Sequence, residues 1–165
     1  HLAGLGHRRI ALVTGPAQRA SSQERAAGFT RGLAESGIAL ERRLTVEGDY
    51  TFASGLEAGG RLLDRPRPPP AIFACNDLMA AGVLKAAEQR GLAVPAQLSV
   101  AGFDGTDVAA MVSPALTTVR RPMRTIASRA TRCLLGHIRN ATGVPVQDGM
   151  ALELVIGSST GPAPR

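Results

Sequence analysis

Apolar positions along the chain fall into short continuous runs separated by longer stretches of helical spacing. Ile10-Ala11-Leu12-Val13 follows the charged Arg8-Arg9 and stops on Thr14-Gly15-Pro16. A run of this length, bounded by turn residues, reads as a strand covered on both faces. Ser21-Ser22-Gln23-Glu24 has the spacing of a capping box, and Ala27, Phe29, Leu33 and Ala34 continue with helical periodicity to Gly37. Leu44-Thr45-Val46-Glu47 predicts a second short strand that ends on Gly48-Asp49-Tyr50. With Thr51 as cap, Ala53, Leu56, Ala58, Leu62 and Leu63 predict the next helix, whose glycines weaken it but permit close packing.

The stiff connector Arg65 to Pro70 leads into Ala71-Ile72-Phe73-Ala74-Cys75, a third strand that breaks on Asn76-Asp77. A helix follows, with Met79, Val83, Leu84 and Ala87 on its apolar face and Arg90-Gly91 as its stop. Asp77 is expected to cap that helix, while Asn76 stands at the strand's carboxyl end, where open α/β sheets bind ligands. Leu98 to Phe103 predicts a fourth strand, ending on Asp104-Gly105. Leu116 to Val119 is a short extended segment, Arg120-Arg121-Pro122 opens a helix from Met123 to about Asn140, and Leu152 to Ile156 is a last apolar run. Strands alternating with helices over the first 119 residues imply a doubly wound parallel α/β sheet. Its carboxyl rim gathers Asn76, Asp77 and Asp104, with Arg25 and Tyr50 just beyond two other strand ends. That mixture of amide, carboxylate, guanidinium and aromatic ring suits a small polyol or glycosylated ligand. Each member also has a plainer reading, Asn76-Asp77 as a capped turn and Arg25 as a solvated side chain.

Composition narrows the picture only in places. With 165 residues and 44% hydrophobic content the chain has enough material for one core, and with 3% aromatic and no Trp that core is aliphatic. The net charge of +6 would raise nucleic acid as a partner, but the basic residues are scattered or paired rather than gathered in a stripe. Cys75 and Cys133 lie in apolar surroundings without metal spacing and read as buried thiols in a reducing cytoplasm. No stretch approaches the ~18 apolar residues of a membrane span. His1 to His7 resembles the end of a helix stopped by Gly6, so a natural chain that begins upstream is expected.

Enzyme signatures are absent from the sequence. Gly102 to Gly105 is not a dinucleotide fingerprint, and Thr14-Gly15-Pro16 lacks the Lys and hydroxyl of a phosphate loop. The three His, at 1, 7 and 137, offer no base at a strand end: His7 reads as following a helix end and His137 as lying on a helix surface. No catalytic residue, metal site or cofactor is expected.

Taken together, several segments resemble the lactose/galactose repressor family of bacterial transcription regulators, in its effector-binding core. They are Leu5-Gly6-His7-Arg8-Arg9-Ile10, Glu24-Arg25-Ala26-Ala27-Gly28-Phe29, Gly48-Asp49-Tyr50-Thr51, Ala74 to Ala80, Ser99 to Asp104 and Leu116 to Arg120. The resemblance implies a lobe of the periplasmic-binding-protein type (type I), residues 1–119, followed by a crossover helix and terminal strand, 120–165, that belong with a second lobe. A helix-turn-helix headpiece and most of that other lobe would lie upstream. Effector contact is implied for Arg25, Tyr50, Asn76 and Asp104, and for Met123 and Ile126 near the lobe crossing. The implied partners are a small-molecule effector such as a sugar, a second copy paired through 53–63, 78–90 and 106–112, and operator DNA through the headpiece alone. A periplasmic sugar-binding protein of a transporter shares the fold and is the alternative. Three positions depart from the family pattern: Arg121 where Gln is usual, Gly105 where a second Asp is common, and Gly157 where Arg is frequent.

Overall fold

The computed structural model describes residues 1–139 and 149–164. Its elements are β1 (Ile10–Thr14), α1 (Ala20–Glu35), β2 (Thr45–Glu47), α2 (Phe52–Leu63), β3 (Ala71–Ala74), α3 (Asp77–Glu88), β4 (Ser99–Asp104), α4 (Asp107–Met111), β5 (Thr117–Arg120), α5 (Met123–Ile138) and β6 (Glu153–Val155). The strands form one sheet in the order β2-β1-β3-β4-β5-β6. Parallel pairing holds from β2 through β5, with Ile10 opposite Ala71, Ala71 opposite Ser99 and Ala101 opposite Thr117. β6 runs antiparallel to β5, so the complete sheet is mixed rather than wholly parallel.

The apolar runs are buried as their continuity predicts. Ala11, Leu12, Val13, Ile72, Ala74 and Val100 are at most 1% exposed. α2 and α3 pack against one face of the sheet and against each other so closely that Gly55 and Gly82 leave no room for a side chain. A Cβ at Gly55 would strike the Met79 backbone, and one at Gly82 would strike that of Phe52. The gain is the full burial of Leu62, Met79 and Val83, each contributing roughly 1.5–3 kcal/mol. On the other face Phe29 of α1 stacks on Phe73 of β3, centroids 5.2 Å apart.

Local helix starts differ from expectation at two places. Thr51 caps α2 as predicted, its side chain accepting from Ser54 N–H at 3.1 Å. α1, however, begins at Ala20, with Arg19 at the cap and no side-chain cap bond. The expected box therefore does not form, because Ser21 already lies inside the first turn. At α3 the cap is Asn76, whose Oδ1 accepts from Met79 N–H at 2.9 Å, and Asp77 is the first helical residue.

Beyond β5 the chain departs in α5, a helix without a buried residue that leaves Leu134 61% and Ile138 67% exposed. Its expected end near Asn140 lies outside the described residues. The sequence division at about 119 groups everything later with a second lobe, yet β6 pairs with β5 and the tail after it hydrogen-bonds to residues 1–119. Ser159 Oγ donates to the Val100 carbonyl at 2.6 Å and accepts from Thr117 N–H at 2.9 Å. Ser158 and Ser159 N–H both reach the Ala115 carbonyl, and Val100 N–H reaches that of Ser159. His7, expected at a helix end, is fully buried here, its Nε2 3.0 Å from both Ser99 Oγ and the Gly161 carbonyl. These contacts all lie at the amino ends of β4 and β5, opposite the carboxyl rim.

Candidate functional site

The carboxyl rim is built by strand ends that stop in register. β1, β3 and β4 finish side by side, so the loops after them and after β2 and β5 converge. Arg25, in the second turn of α1, reaches across this junction. Its Nη1 donates to the Cys75 carbonyl and its Nη2 lies 3.3 Å from Asp104 Oδ1. The guanidinium carbon sits 4.2 Å from the centroid of Phe103 and 5.8 Å from that of Tyr50. Both aromatic faces favour a cation at that point. Arg25 is thus a fixed part of the rim rather than a solvated side chain, with 14% of its side chain exposed.

Asp104 lies between two cations. Arg121 Nε stands 3.1 Å from the same Oδ1 that faces Arg25. Burial pushes the Asp104 carboxyl above the usual carboxylate range, while Arg25 and Arg121 oppose the rise. Its backbone has φ of 116°, outside the regions that L-residues favour, and Gly105 follows at 68°. Such a conformation costs of order 1–3 kcal/mol and persists where surrounding bonds hold it. Asp77 supplies those bonds. Its Oδ2 accepts from Thr106 N–H at 2.7 Å and Thr106 Oγ1 at 2.9 Å, and its Oδ1 accepts from Thr118 Oγ1. The residue expected to cap α3 instead clamps the β4–α4 turn to β5, at 1% exposure.

Asn76 and Tyr50 form a second unit. Asn76 is 7% exposed and uses both ends of its amide, capping α3 with Oδ1 and donating from Nδ2 to the Tyr50 carbonyl at 2.9 Å. One amide hydrogen and one lone pair remain for another partner. Tyr50 has φ of 73° and lays its ring over Gly15, where any side chain would collide with it. Its hydroxyl is buried with no hydrogen-bond partner among the described residues.

A recess of about 470 Å³ opens beside Arg25 and Arg121, lined also by Ser21, Glu24, Phe29, Phe73, Phe103 and Leu152. Asp104, Arg121 and Met123 border a wider, shallower one next to it with Thr106 and Arg124. The structure therefore brings Arg25, Tyr50, Asn76 and Asp104 together and sets Met123, 48% exposed, beside Asp104. Ile126, one turn further along α5, lines neither recess. An apolar recess of about 230 Å³ near Ile10, Leu33 and Leu154 has few polar groups to orient a ligand.

Sequence reasoning missed Phe103 and undervalued Arg121. The signal for Phe103 was present, since an aromatic residue directly before a strand-end Asp is conspicuous in a chain with only 3% aromatics. Of the two thiols, Cys75 is buried and its pKa is pushed up to about 11 by burial, whereas Cys133 is only half-buried on α5. Among the described residues no group of three or more His, Cys, Asp and Glu could hold a metal, and no helix is long and apolar enough to cross a membrane.

Residues 1–160 match the family described as periplasmic binding protein-like domain. The chain is 36% identical over 162 residues to the HTH-type transcriptional regulator DegA of Bacillus subtilis, covering 98% of this chain and 48% of that protein. It therefore spans about half the length of the curated relatives it matches. Among solved structures, the transcriptional regulator CelR in complex with cellobiose superposes with a TM-score of 0.91 at 33% identity, covering 96% of this chain and 48% of that one. A dimeric Lac repressor with a C-terminal deletion superposes equally well, TM-score 0.91 at 32% identity, over 99% and 59% of the two chains. Fold and relatives agree: the chain belongs to the periplasmic-binding-protein-like domain family, in the branch formed by regulators of the lactose/galactose repressor type.

Proposed function

We propose that this chain is the effector-sensing part of a cytoplasmic transcription regulator. In the intact protein a small molecule, a sugar or a relative of one, binds between this lobe and a second lobe and controls operator binding by a helix-turn-helix headpiece. The observation that carries this reading is the convergence of Arg25, Arg121 and Phe103 on one recess at the carboxyl rim, with Asp104 ion-paired to both guanidinium groups beside it. A guanidinium and carboxylate fork for hydroxyls beside aromatic faces is the equipment a polyol needs. The relatives support it: DegA is named as a helix-turn-helix regulator, and CelR was solved with a disaccharide.

Residues 1–119 form one lobe in this reading, α5 carries the chain towards the other lobe, and β6 with the tail after it returns to this one. Met123 and Ile126 belong to the crossing and would face the cleft once it closes. Ligand that binds the closed form more tightly shifts the lobes, and through them the spacing of two headpieces, by its difference in affinity. Pairing of two copies through α2, α3 and α4 accounts for the exposure of Phe52 (42%), Leu78 (43%) and Met111 (79%) on that side. DNA contact is left to the headpiece, and no catalysis is assigned.

Calorimetry of the intact protein against sugars tests the reading. A sugar that binds wild type but binds Asp104→Ala more weakly by over ~1.5 kcal/mol is expected, since a charge-assisted hydrogen bond is lost. Unchanged affinity in the variant refutes the role of Asp104. A signal peptide in place of a helix-turn-helix upstream would favour the transporter alternative.

A further inference from the structure

Arg121 brings to the rim a set of donors that no other described residue uses. Its Nε lies 3.1 Å from Asp104 Oδ1, yet both atoms are buried without an aligned hydrogen bond. The N–H therefore points past the carboxylate. The structure gives the Arg121 side chain no hydrogen-bond acceptor among the described residues. Arg25, 3.3 Å from the same oxygen, donates one hydrogen bond, to Cys75. Two planar guanidinium groups thus crowd one carboxylate oxygen and keep most of their donors free.

Among the described residues Asp104 is the only carboxylate within ion-pair distance of either guanidinium. Asp77 is filled by Thr106 and Thr118. Glu24 is exposed at the outer lip of the recess, where water screens it. A side chain at position 105 is excluded on two counts, the φ of 68° and a Cβ that would come within 2.6 Å of the Arg120 backbone. The walls around the two cations include Phe29, Phe73 and Phe103, and the Arg121 side chain, 33% exposed, presents its outer donors to the recess while its Nε is buried. A neutral hydroxyl satisfies a single N–H. A carboxylate or phosphate satisfies a guanidinium fork in two places and separates the two cations electrostatically.

We propose that the effector is an acidic sugar or polyol, whose carboxylate or phosphate group is held between Arg25 and Arg121. This rests on the effector-binding reading above and specifies its ligand class. Calorimetry of the intact protein compares a neutral hexose, the corresponding hexuronate and the hexose phosphate, with inorganic phosphate as a separate probe. One or both acidic sugars are expected to bind more than about tenfold tighter than the neutral parent, as a charge-assisted pair implies. Which of the two binds distinguishes carboxylate from phosphate. Arg121→Gln, which keeps a donor but loses the charge and the fork, is expected to shrink that gap below about threefold, while Arg121→Lys retains part of it.

A neutral sugar that binds as tightly as its acidic partners, or a gap unaltered in Arg121→Gln, overturns the inference and leaves the effector-binding reading standing. Inorganic phosphate that binds in an Arg121-dependent way, with no sugar binding at all, supports the anion site and counts against the sugar reading. Silence across the series, phosphate included, overturns both.

Discussion

The amide of Asn76 donates to the carbonyl oxygen of Tyr50 over 2.9 Å while its other end caps α3. One side chain thereby fixes the loop after β2 to the start of the helix after β3, and Tyr50 keeps its φ of 73°. Replacing Asn76 by Ala removes both bonds and is expected to destabilise the fold by about 1–3 kcal/mol. Asn76→Asp retains the cap but sets a carboxylate against the Tyr50 carbonyl. Chemical denaturation of both variants separates the two roles; if Asp and wild type unfold at the same denaturant concentration, the tether to Tyr50 carries no weight.

Tyr50 offers the opposite sign. Its buried hydroxyl has no partner among the described residues, and an unsatisfied buried polar group costs roughly 1–3 kcal/mol. Tyr50→Phe is expected to unfold at the same or a higher temperature than wild type. A clear fall in the midpoint would mean that the hydroxyl is satisfied in solution.

Asp77, a helix cap by its sequence position, clamps Thr106 and Thr118 in the structure. Asp77→Ala leaves these donors stranded and is expected to cost over ~2 kcal/mol. Thr118→Val removes one donor only and is expected to cost less. The same substitutions weaken the hold on the strained Asp104 backbone, so ligand affinity is expected to fall although neither residue lines the recess beside Arg25. Affinity unmoved in Thr118→Val, measured by calorimetry, argues against this coupling.

His7 predicts a dependence on pH. Burial pushes its pKa below the ordinary 6.5, so the folded state binds the proton less readily than the unfolded chain. The stability linked to neutral His7 is fully present above that ordinary value and falls as the pH drops through it, levelling off below the depressed folded value. Thermal melts between about pH 7.5 and 5 are expected to show this loss in wild type and a smaller one in His7→Gln. Equal slopes in the two proteins would remove His7 from the account.

Much of this was legible in the chain because strand ends in a parallel sheet are marked by where apolar runs stop. Val13, Ala74 and Phe103 each precede a polar or small residue, which was enough to place Arg25, Tyr50, Asn76 and Asp104 at one rim. The exchange of roles between Asn76 and Asp77 was beyond reach, since it depends on a helix start shifted by one residue. Both residues cap well, and only the distant Thr106 and Thr118 decide between them. The role of Ser158-Ser159-Thr160-Gly161 was beyond reach for a related reason. Its partners, Val100, Ala115 and Thr117, lie far back in the sequence, and hydrophobic periodicity carries no information about them.

That tail bears on how the molecule is made. Val100 and Thr117 leave the ribosome with the backbone and side-chain partners of their strand beginnings still unsynthesised, and Ser159, which supplies them, emerges only after α5 and β6. During translation the amino-end rim of the sheet at β4 and β5 therefore stays open until that point. Its closure by Ser159 is a late event in biogenesis, and a nascent chain stalled before that residue would present unpaired polar groups to chaperones and proteases.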